Sequence, residues 1–125
     1  MNLVDSCGWL EYFKGGSQAE ALESYLQEPD LLVPTVVLYE VYKVLRRDLS
    51  ERGANLAATR LKTYQVVPLD DRLALEAADI GLERELPMAD AIIYATARAH
   101  GATLVTSDEH FEGLPGVIYL AKASA

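Results

Sequence analysis

The feature that most constrains the fold of this chain is an alternation of short apolar segments with longer amphipathic ones. The short segments have the length and composition of buried strands; they are Asn2–Asp5, Leu31–Val33, Gln65–Leu69, Thr103–Thr106 and Val117–Leu120. Strands that alternate with helices favour a parallel sheet covered by helices on both faces. We therefore predict an α/β fold with a short parallel sheet of four or five strands.

The longer segments repeat apolar residues at helical spacing and are separated by turn-forming residues. They are Ser6–Phe13, Ser17–Gln27, a long helix from Pro34 to about Arg52, Ala54–Tyr64, Arg72–Glu85 and Met88–His100. Ser17 and Glu20 form the pattern of a capping box, and Gly53 is predicted to end the long helix. Asp70 or Asp71 is predicted to cap the helix that follows. Because no linker-like stretch interrupts residues 1–125, we predict a single domain.

The chain contains one cysteine, Cys7, which excludes an internal disulfide and a multi-cysteine zinc site. We interpret Cys7 as a small buried hydrophobic residue rather than a reactive thiol. No charged leader precedes an apolar stretch at the start of the chain, and no apolar run approaches the roughly 20 residues of a membrane span. Together these features predict a cytoplasmic protein that does not enter a membrane.

The formal net charge of −8 opposes contact with a nucleic-acid backbone if the charge is spread evenly. The basic residues are not spread evenly, because seven of the eleven lie between Lys43 and Arg72. An acidic chain of this kind can still carry one positive face. Part of the negative charge can also belong to a metal site, whose carboxylates are counted here without their cation.

Two carboxylates stand at the carboxyl ends of predicted strands. Asp5 ends the first strand, and Asp108 comes just after the strand Thr103–Thr106. In open parallel sheets, ligands bind in the crevice outside the carboxyl ends of the strands. Asp5 and Asp108 therefore point into the same crevice if their strands are neighbours.

Two further carboxylates belong to predicted helices. Glu40 lies within an apolar stretch, where a charge is costly unless it faces a partner or a wet cleft. A surface pair with Lys43, three positions on, is the alternative. Asp90 lies in the first turn of its helix, where the helix dipole alone favours an acid. Taken alone, neither residue can be assigned to a functional site rather than to a structural role.

The four carboxylates taken as a set predict a cation site. Carboxylates that are held close together resist ionising together, and a divalent cation relieves their repulsion. Ligation by oxygen atoms alone suits Mg²⁺ or Mn²⁺ better than Zn²⁺. We therefore expect Mg²⁺ as the cofactor, with Mn²⁺ as an alternative.

Four segments in order resemble the PIN-domain ribonucleases, and most closely the VapC-type toxins of toxin–antitoxin pairs. The segments are Val4–Phe13, Thr35–Val41, Leu86–Ala97 and Thr103–Phe111. Their order and spacing extend over nearly the whole chain, and the third segment is the most specific. The resemblance implies a single PIN-like domain and a metal-dependent endoribonuclease that hydrolyses RNA phosphodiester bonds, as the toxin of such a pair.

The resemblance also implies that four carboxylates are catalytic: Asp5, Glu40, Asp90 and Asp108. All of them except Glu40 are expected to bind one or two metal ions, and Glu40 is expected to bind metal or to orient the attacking water. Ser6 and Thr106 are expected to support the site by hydrogen bonding. The alternatives are a helix cap for Ser6 and an ordinary strand-end residue for Thr106.

Substrate binding is expected on the helix that carries Glu40. Lys43 and Arg47 follow Glu40 by three and seven residues, roughly on the same helical face, and are predicted to hold RNA phosphates. A solvated charged face is the alternative. His110 stands where some family members carry an acid, and we interpret it as a loop residue rather than a general base.

The resemblance implies RNA as the substrate and a cognate antitoxin that covers the cleft, and a homodimer is also expected. The main alternative is a catalytically inactive PIN-fold module that binds RNA or protein, against which the intact acid set argues. A phosphoryl-accepting receiver domain needs paired acids after its first strand, and Asp5 has no acidic neighbour. A DNA-directed nuclease of related architecture is disfavoured only by the resemblance.

Overall fold

Five parallel strands form one sheet in the computed structural model, which describes residues 1–122. The strands are β1 (Asn2–Val4), β2 (Leu31–Pro34), β3 (Gln65–Val67), β4 (Thr103–Thr106) and β5 (Val117–Tyr119). Their order is β3-β2-β1-β4-β5, and every pairing is parallel. The predicted α/β fold with a parallel sheet of four or five strands is confirmed. Residues 123–125 of the predicted single domain lie outside the described residues.

Within the same residues the connections contain six α-helices. They are α1 (Ser6–Phe13), α2 (Ala19–Leu26), α3 (Thr35–Asp48), α4 (Glu51–Leu61), α5 (Asp71–Arg84) and α6 (Met88–Ala99). The chain moves outward from β1 through β2 to β3 and then returns across the sheet to β4. Because crossovers between parallel strands are right-handed, α1–α4 cover one face of the sheet and α5 and α6 cover the other.

The boundary between α3 and α4 differs from its prediction. The helix that begins at Thr35 ends at Asp48 instead of continuing to about Arg52. Ser50 begins the next helix, because its Oγ accepts a hydrogen bond from the backbone N–H of Gly53 at 2.9 Å. Serine is among the preferred residues at this position. Gly53 therefore lies in the first turn of α4 and does not terminate α3.

The predicted capping box at the start of α2 is wrong. The Ser17 hydroxyl donates a hydrogen bond to Glu11 at 3.4 Å, and the backbone N–H of Gln18 donates to the same carboxylate oxygen at 3.1 Å. The helix begins at Ala19 without a side-chain cap. Glu11 belongs to the preceding helix, and its charged carboxylate is a stronger acceptor than the Ser17 hydroxyl.

The core holds the central strands and α1 in place. Leu3, Leu32 and Leu104 of the three central strands are fully buried, and burial of each such side chain contributes roughly 1.5–3 kcal/mol. Trp9 of α1 is also fully buried and stacks on Phe13 with ring centroids 5.7 Å apart. This packing fixes the junction between β1 and α1, where the first of the candidate carboxylates lies.

β3 is an edge strand that ends at Val67 instead of the predicted Leu69, and Pro68 comes directly after it, where a missing backbone N–H leaves the ladder intact. The predicted cap of the next helix is confirmed. Asp70 caps α5, because its Oδ1 accepts a hydrogen bond from the backbone N–H of Leu73 at 2.8 Å. No helix formed by residues 1–122 is both long enough and apolar enough to span a membrane.

Candidate active site

Asp5 lies at the junction of β1 and α1, in the centre of the sheet. Its backbone N–H donates to the carbonyl oxygen of Val105 at 3.0 Å, which extends the pairing of β1 with β4 by one residue. Its Oδ1 accepts a hydrogen bond from the backbone N–H of Ser6 at 2.7 Å and so caps α1. Only 3% of the Asp5 surface is exposed. The carboxylate is therefore buried and held by both elements.

Two side chains also donate to the other oxygen of Asp5. The Thr106 hydroxyl lies 2.8 Å from Oδ2, and the Cys7 thiol lies 3.3 Å from it. Burial raises the pKa of Asp5 above its ordinary value, and repulsion from Asp90 adds to the rise, although these hydrogen bonds lower it. Burial is the largest of these effects, so the ionised form of Asp5 is disfavoured unless a cation compensates it.

Thr106 links the carboxyl ends of β1 and β4. Its hydroxyl donates to Asp5, and the same oxygen accepts a hydrogen bond from the backbone N–H of Asp108 at 3.0 Å. The residue is fully buried. Thr106 thus makes two contacts that an ordinary strand-end residue lacks, and its support of Asp5 is the role that the sequence predicted for it.

Glu40 reaches the same cleft from α3. The Ser6 hydroxyl donates to its Oε1 at 3.0 Å. Burial raises the pKa of Glu40, and repulsion from Asp5 and Asp108 adds to the rise, while Ser6 and the positive charge of Lys43 lower it. In the part of the chain that the structure describes, Glu40 and Lys43 form no ion pair. The surface pair that was the alternative for Glu40 is therefore absent there.

Asp90, Asp108 and His110 form the most open part of the cleft. The Nδ1 atom of His110 lies 2.7 Å from Oδ2 of Asp90 and 3.3 Å from Oδ1 of Asp108. Ligand atoms of the three side chains all lie within 4.8 Å of one another. Burial raises the pKa of Asp90, and the neighbouring Asp108 adds to the rise, while the hydrogen bond from His110 lowers it.

The interpretation of His110 as a loop residue is incomplete. It lies in a single 3₁₀ turn, Glu109–Phe111, and its backbone N–H donates to Oδ1 of Asp108 at 2.9 Å. The turn directs the imidazole at Asp90, and the hydrogen bond to Asp90 together with the charge of Asp108 raises the pKa of His110. The spacing of two residues after Asp108 was the only signal for this contact in the sequence.

The interpretation of Cys7 as a buried hydrophobic residue is wrong in one respect. Its side chain is half-buried, and its Sγ contacts Asp5 at 3.3 Å and Thr106 at 3.6 Å. Burial raises the pKa of the Cys7 thiol, and the nearby charge of Asp5 adds to the rise. The thiol is therefore an unreactive polar neighbour of the site, beside a cavity of about 540 Å³ that Asp108 and His110 also line.

The side chains of the cleft fit a divalent cation. Among residues 1–122, no lysine or arginine forms an ion pair with the four candidate carboxylates, Asp5, Glu40, Asp90 and Asp108. Electrostatic repulsion between members of the set raises the pKa of Asp5, Glu40 and Asp90, after the larger effect of burial. Carboxylate oxygens are the ligands that Mg²⁺ and Mn²⁺ take in proteins.

The two predicted phosphate-binding residues differ in their surroundings. Lys43 lies with its Nζ 5.1 Å from the centroid of the Tyr39 ring, on the exposed side of α3. Arg47 pairs with Asp48, with its Nε 2.7 Å from Oδ1 and a second contact of 3.2 Å to Oδ2. Lys43 is therefore better placed than Arg47 to meet an anion, because the charge of Arg47 is already balanced.

Comparisons with known proteins find one family model and several solved structures that match this chain. Residues 3–117 match the family model of the PIN domain. A toxin–antitoxin complex from Klebsiella pneumoniae contains a chain with 28% sequence identity and a TM-score of 0.81, over 94% of this chain and 96% of the other. The comparison with curated protein sequences gives no match.

Two further solved structures share the fold at lower identity. VapC20 of Mycobacterium tuberculosis, a sarcin–ricin loop cleaving toxin, has 22% identity and a TM-score of 0.73 over 90% of this chain and 92% of its own. VapBC2 of Rickettsia felis, bound to a DNA fragment from its promoter, has 17% identity and a TM-score of 0.73 over 96% and 97%. These likenesses extend over almost the full length of each chain.

Proposed function

Since the chain belongs to the PIN domain family, we propose that it is a metal-dependent endoribonuclease that hydrolyses RNA phosphodiester bonds. The observation that carries this proposal is the convergence of carboxylates from β1, α3, α6 and the turn after β4 on one cleft, without a lysine or arginine partner among residues 1–122. Carboxylates that repel one another in a partly buried cleft resist ionising together, so their presence calls for a cation as partner.

We assign the site to Mg²⁺, with Mn²⁺ as the alternative. A divalent cation held there supplies a water of lowered pKa and neutralises charge on the phosphate. Asp5, Asp90 and Asp108 are the residues assigned to hold it. Asp5 is fixed by the hydrogen bonds from Ser6 and Thr106, so it contributes an oxygen whose position the backbone of two elements determines.

Glu40 is assigned a different role, as the residue that orients the attacking water. Its carboxylate has one oxygen bound to the Ser6 hydroxyl at 3.0 Å, which leaves the other oxygen to accept a proton-bearing group. Its raised pKa, caused mainly by burial, makes it a stronger base than an exposed glutamate. Ser6 is in this proposal a positioning residue, because it acts through Glu40.

RNA is proposed as the substrate because of the similarity to VapC20, whose name describes a toxin that cleaves the sarcin–ricin loop. Lys43 would hold a phosphate beside the cleft, since it follows Glu40 by one turn of α3 and lies over the Tyr39 ring. Arg47 would take part only after its pair with Asp48 opens. Lys43 is therefore proposed as the first phosphate contact and Arg47 as the second.

A protein antitoxin is proposed as the partner, in the cytoplasm, because solved relatives are toxin–antitoxin complexes. A homodimer is proposed as well. It is supported by Leu75, Leu82 and Met88, which are 71%, 84% and 79% exposed and lie on α5 and at the start of α6. Exposed apolar side chains that form one contiguous patch are typical of surfaces that a partner covers.

The proposal is tested by incubating the purified chain with defined RNAs in Mg²⁺, in Mn²⁺ or in EDTA. We expect cleavage with either metal and none in EDTA. Asp90→Asn should not cleave, whereas Asp48→Asn, a matched change of an exposed aspartate outside the cleft, should cleave as well as the original chain. The two variants together exclude a contaminating nuclease.

Two results would contradict the proposal. Cleavage that persists in EDTA or in a folded Asp90→Asn variant would remove the metal-dependent mechanism. A folded chain that binds metal and RNA but cleaves no RNA would instead be the inactive binding module.

A further inference from the structure

We propose that His110 is a metal ligand of this site, so that the site prefers first-row transition-metal ions over Mg²⁺. This inference rests on the proposed function and adds one ligand and an order of affinities to the metal site proposed there. It concerns a residue outside the four carboxylates that the resemblance supplied.

The first support is the position of the imidazole nitrogen. Nδ1 of His110 lies 2.7 Å from an oxygen of Asp90 and 3.3 Å from an oxygen of Asp108. The three ligand atoms lie within 4.8 Å of one another. Atoms bound to one ion at about 2.1 Å are at most about 4.2 Å apart, so small side-chain rotations bring all three onto a common ion.

The second support is that the backbone holds His110 in this position. Its backbone N–H donates to Asp108 at 2.9 Å, and the next backbone N–H, that of Phe111, donates to the Asp108 carbonyl oxygen at 3.1 Å. Phe111 is fully buried and packs near Tyr94, with ring centroids 6.3 Å apart. The turn is thus anchored in the core, and the imidazole is directed into the cleft by a fixed backbone.

The third support is access. The His110 side chain is 56% exposed, whereas that of Asp90 is 15% exposed. The imidazole therefore lies at the mouth of the cleft, where an ion enters from solvent.

A nitrogen ligand changes which ions the site prefers. Mg²⁺ is a hard ion that favours oxygen ligands and retains its water, whereas imidazole suits transition metals. Affinity for nitrogen-containing sites rises from Mn²⁺ to Co²⁺ along the first row. We therefore expect Co²⁺ to bind more tightly than Mn²⁺, and Mn²⁺ more tightly than Mg²⁺.

The inference is tested by calorimetric titration of the chain and of His110→Ala with Mg²⁺, Mn²⁺ and Co²⁺. The expected result is a loss of about 10-fold or more in affinity for Mn²⁺ and Co²⁺, with little change for Mg²⁺. His100→Ala is the matched control. His100 contacts Thr96 at the far end of α6, ten residues and about 15 Å from Asp90, and its removal should change no affinity.

A spectroscopic measurement detects the bond directly. Pulsed electron paramagnetic resonance of the Mn²⁺-loaded chain should show nitrogen coupling from imidazole, and the coupling should persist in His100→Ala. It should disappear in His110→Ala and in His110→Gln, which retains a polar side chain of similar length. Circular dichroism of each variant verifies that it is folded, and the two His110 variants keep the test valid if one of them is not.

Three results would overturn the inference. One is the absence of imidazole coupling in the original chain, and another is unchanged metal selectivity in folded His110 variants. The third is a rise in affinity for all three ions in those variants, because His110 would then compete with the cation rather than bind it.

The proposed function has a separate outcome. If the chain cleaves RNA and the His110 variants keep the original metal selectivity, only the proposal that His110 is a ligand is rejected. If nitrogen coupling is seen but no RNA is cleaved, only the proposed ribonuclease activity is rejected.

Discussion

The carboxylates of this chain fall into two regions with opposite electrostatics. At the end of α3, Asp48 contacts Lys14 at 2.9 Å and Arg47 at 2.7 Å, and these contacts hold the pKa of Asp48 well below its ordinary value. In the cleft, burial raises the pKa of Asp5 and Asp90. The same residue type is thus compensated by a lysine and an arginine in one region, whereas in the cleft its partner is the histidine His110.

The difference between the Asp48 cluster and the cleft indicates which of the two regions needs an external cation. Ion pairs between exposed groups contribute little to stability, so the Asp48 cluster could be lost at small cost. The cleft carries an electrostatic penalty that no lysine or arginine among residues 1–122 relieves, and His110 relieves only part of it, at Asp90. Substitutions in the two regions should therefore affect different properties. In the cleft they should change activity and metal binding, and at the end of α3 they should change salt-dependent stability.

The largest effect is expected from Asp5→Asn and Asp90→Asn. Loss of a charged metal ligand removes several kcal/mol of transition-state stabilisation, which corresponds to a decrease in cleavage rate on the order of 10³-fold or more. Single-turnover cleavage of a defined RNA measures the loss, and circular dichroism verifies the fold. A folded variant that keeps more than a tenth of the activity would contradict the assignment of that residue.

A second prediction concerns metal and stability. Adding Mg²⁺ or Mn²⁺ should raise the Tm of the chain, because an ion that binds only the folded state stabilises it by roughly 2.7 kcal/mol at 100 times its Kd. The rise should be largely absent in Asp90→Asn and intact in Asp48→Asn. Thermal melts with and without EDTA measure the rise in Tm. Equal Tm shifts in the two variants would contradict the proposed difference between the two regions.

Thr106→Val should have an intermediate effect. The change removes a donor to Asp5 and an acceptor for the backbone N–H of Asp108, and a lost outer contact of this kind typically lowers metal affinity or activity about 10–100-fold. Thr106→Ser retains the hydroxyl and should recover most of the activity. If both variants behave alike, the hydroxyl does not position Asp5.

The smallest effect is expected from Asp48→Asn, as a slight loss of stability at neutral pH and low salt. Because the folded-state pKa of Asp48 is lowered, its contribution is present above the unfolded pKa of about 3.9 and is lost as the pH falls below that value. Urea melts at pH 7 and near pH 3, in low and high salt, measure the difference from the original chain. A difference that grows toward pH 3 would reverse the expected sign.

The sheet could be predicted from the sequence because its signal is local and redundant. Each strand is a short apolar run, and the order of strands and helices implies parallel pairing. The boundary near Ser50 was less predictable, because Gly53 carries a stop signal and Ser50 carries a start signal within four residues. The structure shows that the start signal decides, through a hydrogen bond of 2.9 Å.

The site was only partly predictable, because its contacts join residues that are distant in sequence. The strand-end positions of Asp5 and Asp108 follow from the pattern of strands. The contact of His110 with Asp90 depends on how a 3₁₀ turn faces the start of α6 across 20 residues, which the spacing of His110 after Asp108 does not determine by itself. The contact of Cys7 with Thr106 spans 99 residues and was missed for the same reason.

The central position of β1 in the sheet has a consequence for biosynthesis. Asp5 is made well before the hydroxyl that holds it, which belongs to Thr106, 101 residues later. A ribosome-bound chain therefore lacks an assembled cleft until β4 has left the exit tunnel, and we expect the nascent protein to be harmless to RNA until then. Stalled chains that end before Thr103 should bind no Mn²⁺, and tight Mn²⁺ binding by such chains would contradict this.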